Sequence, residues 1–230
     1  MNRASSPSLA PDVLLRRLLR QAPLYAIFDT GLRPGLSPLA VAASLLAAGV
    51  RVIQYRHKGQ FRREHFEQCC ALAETVRPAG GLFFVNDRAD VAVLCGAAGV
   101  HVGQQDLPPE KVRRFLGAQQ LLGYSTHNRQ QVERAAALPV DYIAIGPVFP
   151  TATKANPDPV VGLEGVREAR SLTAKPLVAI GGISLATALS VLRAGADAVA
   201  VIGDLLLAPD IAARAREWMA ALRGRSADSC

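Results

Sequence analysis

Ala47-Ala48-Gly49-Val50-Arg51-Val52-Ile53-Gln54 and Ala97-Ala98-Gly99-Val100-His101-Val102-Gly103-Gln104 are two copies of one phrase, and Ala194-Gly195-Ala196-Asp197-Ala198-Val199 is a looser third. Small residues end a helix, Gly takes the left-handed position just past it, and an apolar strand begins at once. The phrase is the seam between a helix and the next strand. Its recurrence makes the βα unit the building block of the chain, and it carries no chemistry of its own.

Working outward from these seams, short apolar runs at 24–28, 52–55, 82–85, 100–102, 121–125, 142–145, 176–180 and 198–202 alternate with longer helical patterns. The helical stretches are 38–48, 61–76, 89–95, 109–116, 129–137, 163–172, 186–194 and 209–222. The strand runs are apolar without alternation, as parallel strands buried on both faces require. Eight βα alternations in 230 residues predict an α/β fold of one domain, a (β/α)8 TIM barrel in place of an open doubly wound sheet. No linker interrupts 22–222, the expected barrel domain; 223–230 is expected to be a C-terminal tail. The segment 1–21 is rich in Ser and Arg, a make-up shared with transit peptides. Its expected form is a tail and then a short extra basic helix over 12–20, covering one end of the barrel.

Composition removes several classes. No apolar run approaches the ~20 residues of a membrane span. Of the four cysteines, Cys69, Cys70, Cys95 and Cys230, none forms a CxxC pair. They read as free thiols in a reducing compartment, and the expected location is cytoplasmic. The formal charge is +7, but the arginines are scattered over helices with little aromatic interleaving. Nucleic acid is therefore not expected, and anionic small molecules are.

In this fold the active site lies at the C-terminal ends of the strands. After the second run come Gln54, Arg56 and Lys58, which share a face by their spacing of two, while Tyr55 and His57 point the other way. Two cations side by side repel unless an anion joins them, and Arg supplies a planar fork for phosphate oxygens. After the third come Asn86 and Asp87, and after the fourth Gln104 and Asp106. Either acid also suits a turn, and Asp106 suits a helix cap. As a pair ending neighbouring strands they suit Mg²⁺ held with a substrate's phosphates. Ser125 and His127 follow the fifth run without an evident partner acid, so His127 reads as a structural, hydrogen-bonded residue, and His101 as packed within its strand. The long loop 146–159 carries Thr151, Thr153 and Lys154, a set suited to phosphate. Gly181 and Gly182 follow the seventh run and Gly203 the eighth, where this fold places phosphate against bare backbone.

The ordered set Gln54-x-Arg56-x-Lys58, Asn86-Asp87-Arg88, Gly99-Val100-His101-x-Gly103-Gln104-x-Asp106-Leu107-Pro108, Ser125-Thr126-His127, Gly146-Pro147-Val148-Phe149-Pro150-Thr151-x-Thr153-Lys154 and Ala179-Ile180-Gly181-Gly182-Ile183 resembles the thiamine-phosphate synthase family over 22–222. The resemblance implies a Mg²⁺-dependent transferase joining 4-amino-5-hydroxymethyl-2-methylpyrimidine diphosphate to thiazole phosphate. It also implies that the pyrimidine C–O bond breaks first, and suggests a homodimer. By the resemblance, Gln54, Arg56, Lys58, Asn86, Ser125 and Lys154 contact the pyrimidine diphosphate, with Arg56, Lys58 and Lys154 stabilising its departure. Asp87 and Asp106 hold Mg²⁺, and Thr151, Thr153, Gly182, Ile202 and Gly203 bind the thiazole phosphate. The loop bearing Thr151 and Lys154 is expected to close over the site. Two positions depart from the family pattern: Gly203 stands where Ser is usual, and His57 where an acid is usual. The nearest rival is a thiazole tautomerase of the same superfamily, from which Asp106 with Thr153 and Lys154 separates this chain. A non-catalytic sensor of a thiamine precursor would share the binding residues. A sugar-phosphate isomerase would want an acid–base pair across the mouth, which is not found.

Overall fold

Each apolar run becomes a strand: β1 (Leu24–Asp29), β2 (Val52–Arg56), β3 (Leu82–Asn86), β4 (Gly99–Val102), β5 (Leu121–Thr126), β6 (Tyr142–Ile145), β7 (Leu177–Ile180) and β8 (Ala198–Val201). The computed structural model describes residues 10–151 and 158–223. The strands are parallel and close in chain order, with β8 returning to pair with β1, so the molecule is a (β/α)8 barrel. Around it run α2 (Pro38–Ala47), α3 (Arg63–Val76), α4 (Ala89–Leu94), α5 (Pro109–Phe115), α6 (Arg129–Ala137), α7 (Gly162–Leu172), α8 (Leu185–Arg193) and α10 (Ile211–Arg223). The extra N-terminal helix is present as α1 (Pro11–Gln21). One short helix was not foreseen, α9 (Gly203–Leu206), a single turn after β8 too brief to show periodicity.

The strands have two apolar faces because both are covered. Leu24, Ala26, Phe28 and Ile53 pack outward against the helices. Tyr25, Val52, Leu82, Phe84, Leu121 and Tyr142 pack inward, together with Leu15, Leu18 and Leu19 of α1. Leu15 and Leu19 are fully buried, so α1 closes the N-terminal end of the barrel with its leucine stripe. Its Arg16 donates across to the Ala174 carbonyl at 3.2 Å.

The seam reading needs one correction. Gly49 and Gly195 take the left-handed conformation as expected, at φ 99° and 114°. In the second copy that role falls to Gly96, at φ 65°, and Gly99 is already the first residue of β4. Gly99 is glycine for space: a Cβ there would stand 2.2 Å from the Leu121 carbonyl oxygen of the next strand.

Candidate active site

The C-terminal ends of the strands surround one cavity of about 1580 Å³. On β2 the alternation holds. Gln54 and Arg56, with Lys58 beyond the strand, line the cavity. Tyr55 donates outward to Gln68 Oε1 at 2.7 Å, and His57 bonds Thr30 Oγ1 at 2.7 Å and stacks on His65. His57, the departure from the family pattern, therefore belongs to the outer shell.

The cations do not face one another bare. Arg56 pairs with Asp29, its register partner at the end of β1. Lys58 Nζ lies 2.6 Å from Asp87 Oδ2. Asp29 is a functional candidate that the sequence reading missed. The available signal was an acid closing an apolar strand, the same pattern that drew attention to Asp87.

Asn86 is buried at the end of β3, and its Nδ2 is the one buried side-chain polar atom without a partner among the described residues. Such a donor is costly unless something enters the cavity to accept from it. Asp87 sits at φ 63°, a left-handed conformation unusual for any residue but Gly. Its backbone N–H is held by the His101 carbonyl at 2.8 Å. Asp106 accepts from the Gly103 N–H at 2.7 Å, so it orders its own loop; the N-cap of α5 is Pro108, and the capping alternative for Asp106 falls. The Asp87 and Asp106 carboxyls lie within hydrogen-bonding reach of each other. Burial raises the Asp87 pKa above the usual carboxylate range; Lys58 works against that shift and Asp106 adds to it.

Below this rim lies a polar floor that the sequence did not reveal. Gln54 Nε2 donates to Tyr25 Oη at 2.9 Å, and Tyr25 Oη meets Tyr142 Oη at 2.8 Å. His101 bonds Tyr142 Oη through Nδ1 at 2.9 Å and Ser125 Oγ through Nε2 at 2.8 Å. His101 is thus packed, as expected, but hydrogen-bonded at both nitrogens; burial pushes its pKa down to about 4, leaving it neutral near pH 7. His127 is structural in the expected sense, its Nδ1 2.6 Å from the Gly146 carbonyl oxygen. An acid does stand near it, since Asp158 Oδ2 is 3.6 Å away. Ser125 bonds His101 and not His127, so Ser125, His127 and Asp158 do not line up as a relay.

Thr151, Gly182, Ile202 and Gly203 line the far side of the same cavity. Thr153 and Lys154 lie outside the described residues. The root of their loop is pinned to β7: the Val148 and Phe149 N–H groups donate to the Ile180 and Gly181 carbonyls at 2.9 and 3.0 Å. Gly182 has φ 63°, and a Cβ there would stand 2.4 Å from the Pro150 carbonyl oxygen. Its glycine is therefore demanded by the loop root as well as by any approach of an anion. Gly203 opens α9, and the next residue, Asp204, grips Arg214 of α10 at 2.8 and 2.9 Å. Arg214 also lines the cavity and was not foreseen, since nothing in the sequence marks one arginine on the last helix from the others. Among the described residues, Cys69, Cys70 and Cys95 are free.

Comparison with known proteins agrees with this architecture. The family described as thiamine monophosphate synthase matches residues 24–205. A thiamine-phosphate synthase of Koribacter versatilis is 50% identical over 190 residues, covering 81% of this chain and 90% of the relative. That of Chloroflexus aurantiacus is 42% identical, covering 86% and 91%. Among solved structures, a thiamine phosphate pyrophosphorylase from Pyrococcus furiosus superposes with a TM-score of 0.81 at 33% identity, covering 90% of this chain and 98% of that one. The matched span runs from the first residue of β1 into α9 and so takes in every strand end that lines the cavity; the chain belongs to the thiamine monophosphate synthase family.

Proposed function

We propose that the chain is a thiamine-phosphate synthase that joins 4-amino-5-hydroxymethyl-2-methylpyrimidine diphosphate to thiazole phosphate, releasing diphosphate, with Mg²⁺. The observation that carries this reading is the rim cluster: Asp87 and Asp106 within reach of each other, with Lys58 bonded to Asp87 and the unpartnered Asn86 amide beside them. Two close carboxylates repel when both are ionised, and a cation between them removes the conflict. Their oxygen donors, few in number and open to the cavity, fit Mg²⁺, which commonly takes one or two carboxylates and completes its shell with water and substrate phosphates. No group of three or more His, Cys, Asp or Glu among the described residues offers a self-sufficient metal cage. Mg²⁺ there would supply Lewis-acid stabilisation of the negative charge that gathers on the departing diphosphate.

The chain's own residues account for the rest. Arg56 and Lys58, joined on the family resemblance by Lys154, place fixed positive charge where the leaving group gains its negative charge. An incoming diphosphate would compete with Asp29 and Asp87 for these two cations. The pyrimidine C–O bond breaks with its electron pair going to diphosphate, and the thiazole nitrogen lone pair forms the new C–N bond. No proton is moved in that exchange, which suits a site without an evident acid–base dyad. Ile27, Ala144 and Ala200 line the cavity and present apolar walls that exclude water from the cationic pyrimidine. Thr151, Thr153, Gly182, Ile202 and Gly203 would hold the thiazole phosphate. The free cysteines suit work in the reducing cytoplasm. The test is turnover by purified protein given both substrates and Mg²⁺, with and without EDTA. Thiamine phosphate formed only when metal is available supports the reading, while folded protein that binds a substrate without product points to a sensor.

A further inference from the structure

We infer that Tyr25, Tyr142 and His101 are positioning residues: one polarised hydrogen-bond chain across the barrel floor turns Ser125 into a donor, and Gln54 into an acceptor, toward the bound substrate. The chain joins five strands in the order β2, β1, β6, β4, β5, through Gln54, Tyr25, Tyr142, His101 and Ser125, with links of 2.9, 2.8, 2.9 and 2.8 Å. All five residues line the cavity. That each is a substrate-facing group rests on the functional reading above.

The direction of the chain follows from its first link. The amide nitrogen of Gln54 can only donate, so Tyr25 Oη accepts there and gives its own hydrogen to Tyr142 Oη. Tyr142 in turn gives its hydrogen to His101 Nδ1. His101 is buried, and both ring nitrogens face hydroxyl oxygens with no carboxylate bonded to the ring, so the imidazole is neutral and carries one proton. With Nδ1 accepting, that proton sits on Nε2 and points at Ser125 Oγ. Ser125 accepts it and turns its own hydrogen into the cavity. At the other end, Gln54 gives one amide hydrogen to Tyr25, which fixes the amide with its nitrogen on the floor side and leaves Oε1 as the acceptor toward the cavity. The floor thus offers a donor at one end and an acceptor at the other. A heteroaromatic ring with an acceptor nitrogen and an exocyclic amino group meets both, whereas its oxo counterpart, with carbonyl and ring N–H exchanged, sets donor against donor and acceptor against acceptor.

Local packing is arranged to permit the chain. Gly123 of β5 lies under Tyr142, and a Cβ there would stand 2.4 Å from the Tyr142 hydroxyl oxygen. Tyr142 is also fixed against Phe84 and Tyr25 by edge and tilted ring contacts. Replacing its hydroxyl by hydrogen leaves that packing in place and cuts the relay at its middle.

The test uses the full chain labelled with ¹⁵N at its four histidines, the His101 signal being the one lost in His101→Asn. In ligand-free wild type the expected ring is protonated at Nε2 and bare at Nδ1. In Tyr142→Phe this pattern collapses toward a mixture, and the Kd for the pyrimidine diphosphate rises about tenfold, as for one lost hydrogen bond. Adding Tyr142→Phe to Ser125→Ala should cost no more than Ser125→Ala alone, because Tyr142 acts through Ser125. Tyr25→Phe, which cuts the chain one link earlier, serves if Tyr142→Phe does not fold. A proton on Nδ1 in wild type, or additive losses in the double variant, would overturn the inference. If wild type fails to bind the pyrimidine diphosphate at all, the functional reading falls, while the tautomer still decides the direction of the chain.

Discussion

The two ends of the barrel are built from the same eight strands and do opposite work. At the N-terminal end, Val52, Leu82 and Leu121 meet Leu15, Leu18 and Leu19 of α1, and the interior is apolar. At the C-terminal end, the inward rows finish in Asp29, Arg56, Asn86 and Ser125. Two residues along a strand return to the same face, so the row Val52, Gln54, Arg56 of β2 and the row Leu82, Phe84, Asn86 of β3 each climb from an apolar to a charged or amide side chain within five residues. The lower layer supplies burial free energy, and the upper layer holds polar groups close together at an energetic cost that the lower layer offsets. Stability and chemistry are therefore expected to separate by height in the barrel.

The comparison is broken most severely from the top. Asp106→Asn keeps an acceptor for the Gly103 N–H but removes the charge, and Asp87→Asn suits the left-handed backbone there. Either is expected to lower kcat by about a hundred- to a thousandfold, up to about 4 kcal/mol of transition-state stabilisation. Thermal unfolding should stay within a few degrees of wild type. Wild-type turnover in both variants would remove the carboxylate pair from the mechanism.

From the bottom, Leu19→Ala leaves a void under the barrel and should cost about 3 kcal/mol of unfolding free energy, read by denaturant melts. The kcat and KM of the folded fraction should not change. Altered kinetics at full folding would show that the two ends are not independent.

Between the layers the separation should fail. Gly123→Ala drives a methyl group into Tyr142 and is expected to cost about 1–3 kcal/mol by overpacking. It should also weaken pyrimidine binding, because the same ring carries the polar floor. A stability loss with unchanged binding would mean that the ring shifts without disturbing the hydrogen bonds. Away from both layers, Arg167→Ala breaks an exposed pair with Glu164 on α7. It should change stability by no more than about 0.5 kcal/mol and leave turnover untouched.

Much of the rim was legible because strand ends can be counted. Once the seams marked eight units, Gln54, Arg56 and Lys58 fell on one face by alternation, and Asp87 and Asp106 fell at neighbouring strand ends. The floor was not legible. Tyr25 and Tyr142 stand in apolar runs and read as core, and His101 read as packed, which is true of its burial and silent on its bonds. Asp29 was overlooked for a similar reason: its partner Arg56 is 27 residues away, and only the register of β1 on β2 sets them opposite. Gly99 shows the converse error. Its place in a repeated phrase suggested a backbone role, and the actual constraint is a carbonyl on the next strand.

By itself the sequence determined the unit, its count, the handful of polar residues that end each strand and the family these place the chain in. Such features are local: a helix end, a glycine, an apolar run and an alternation of two all act within a few residues. Only the closed barrel decided which of those residues meet. It joined Arg56 to Asp29, brought Asp87 within reach of Asp106, and linked five strands into one hydrogen-bond chain from Gln54 to Ser125. Contacts of that kind depend on strand register and on closure of β8 against β1, which are set by the packing of the whole interior and by no short stretch of chain.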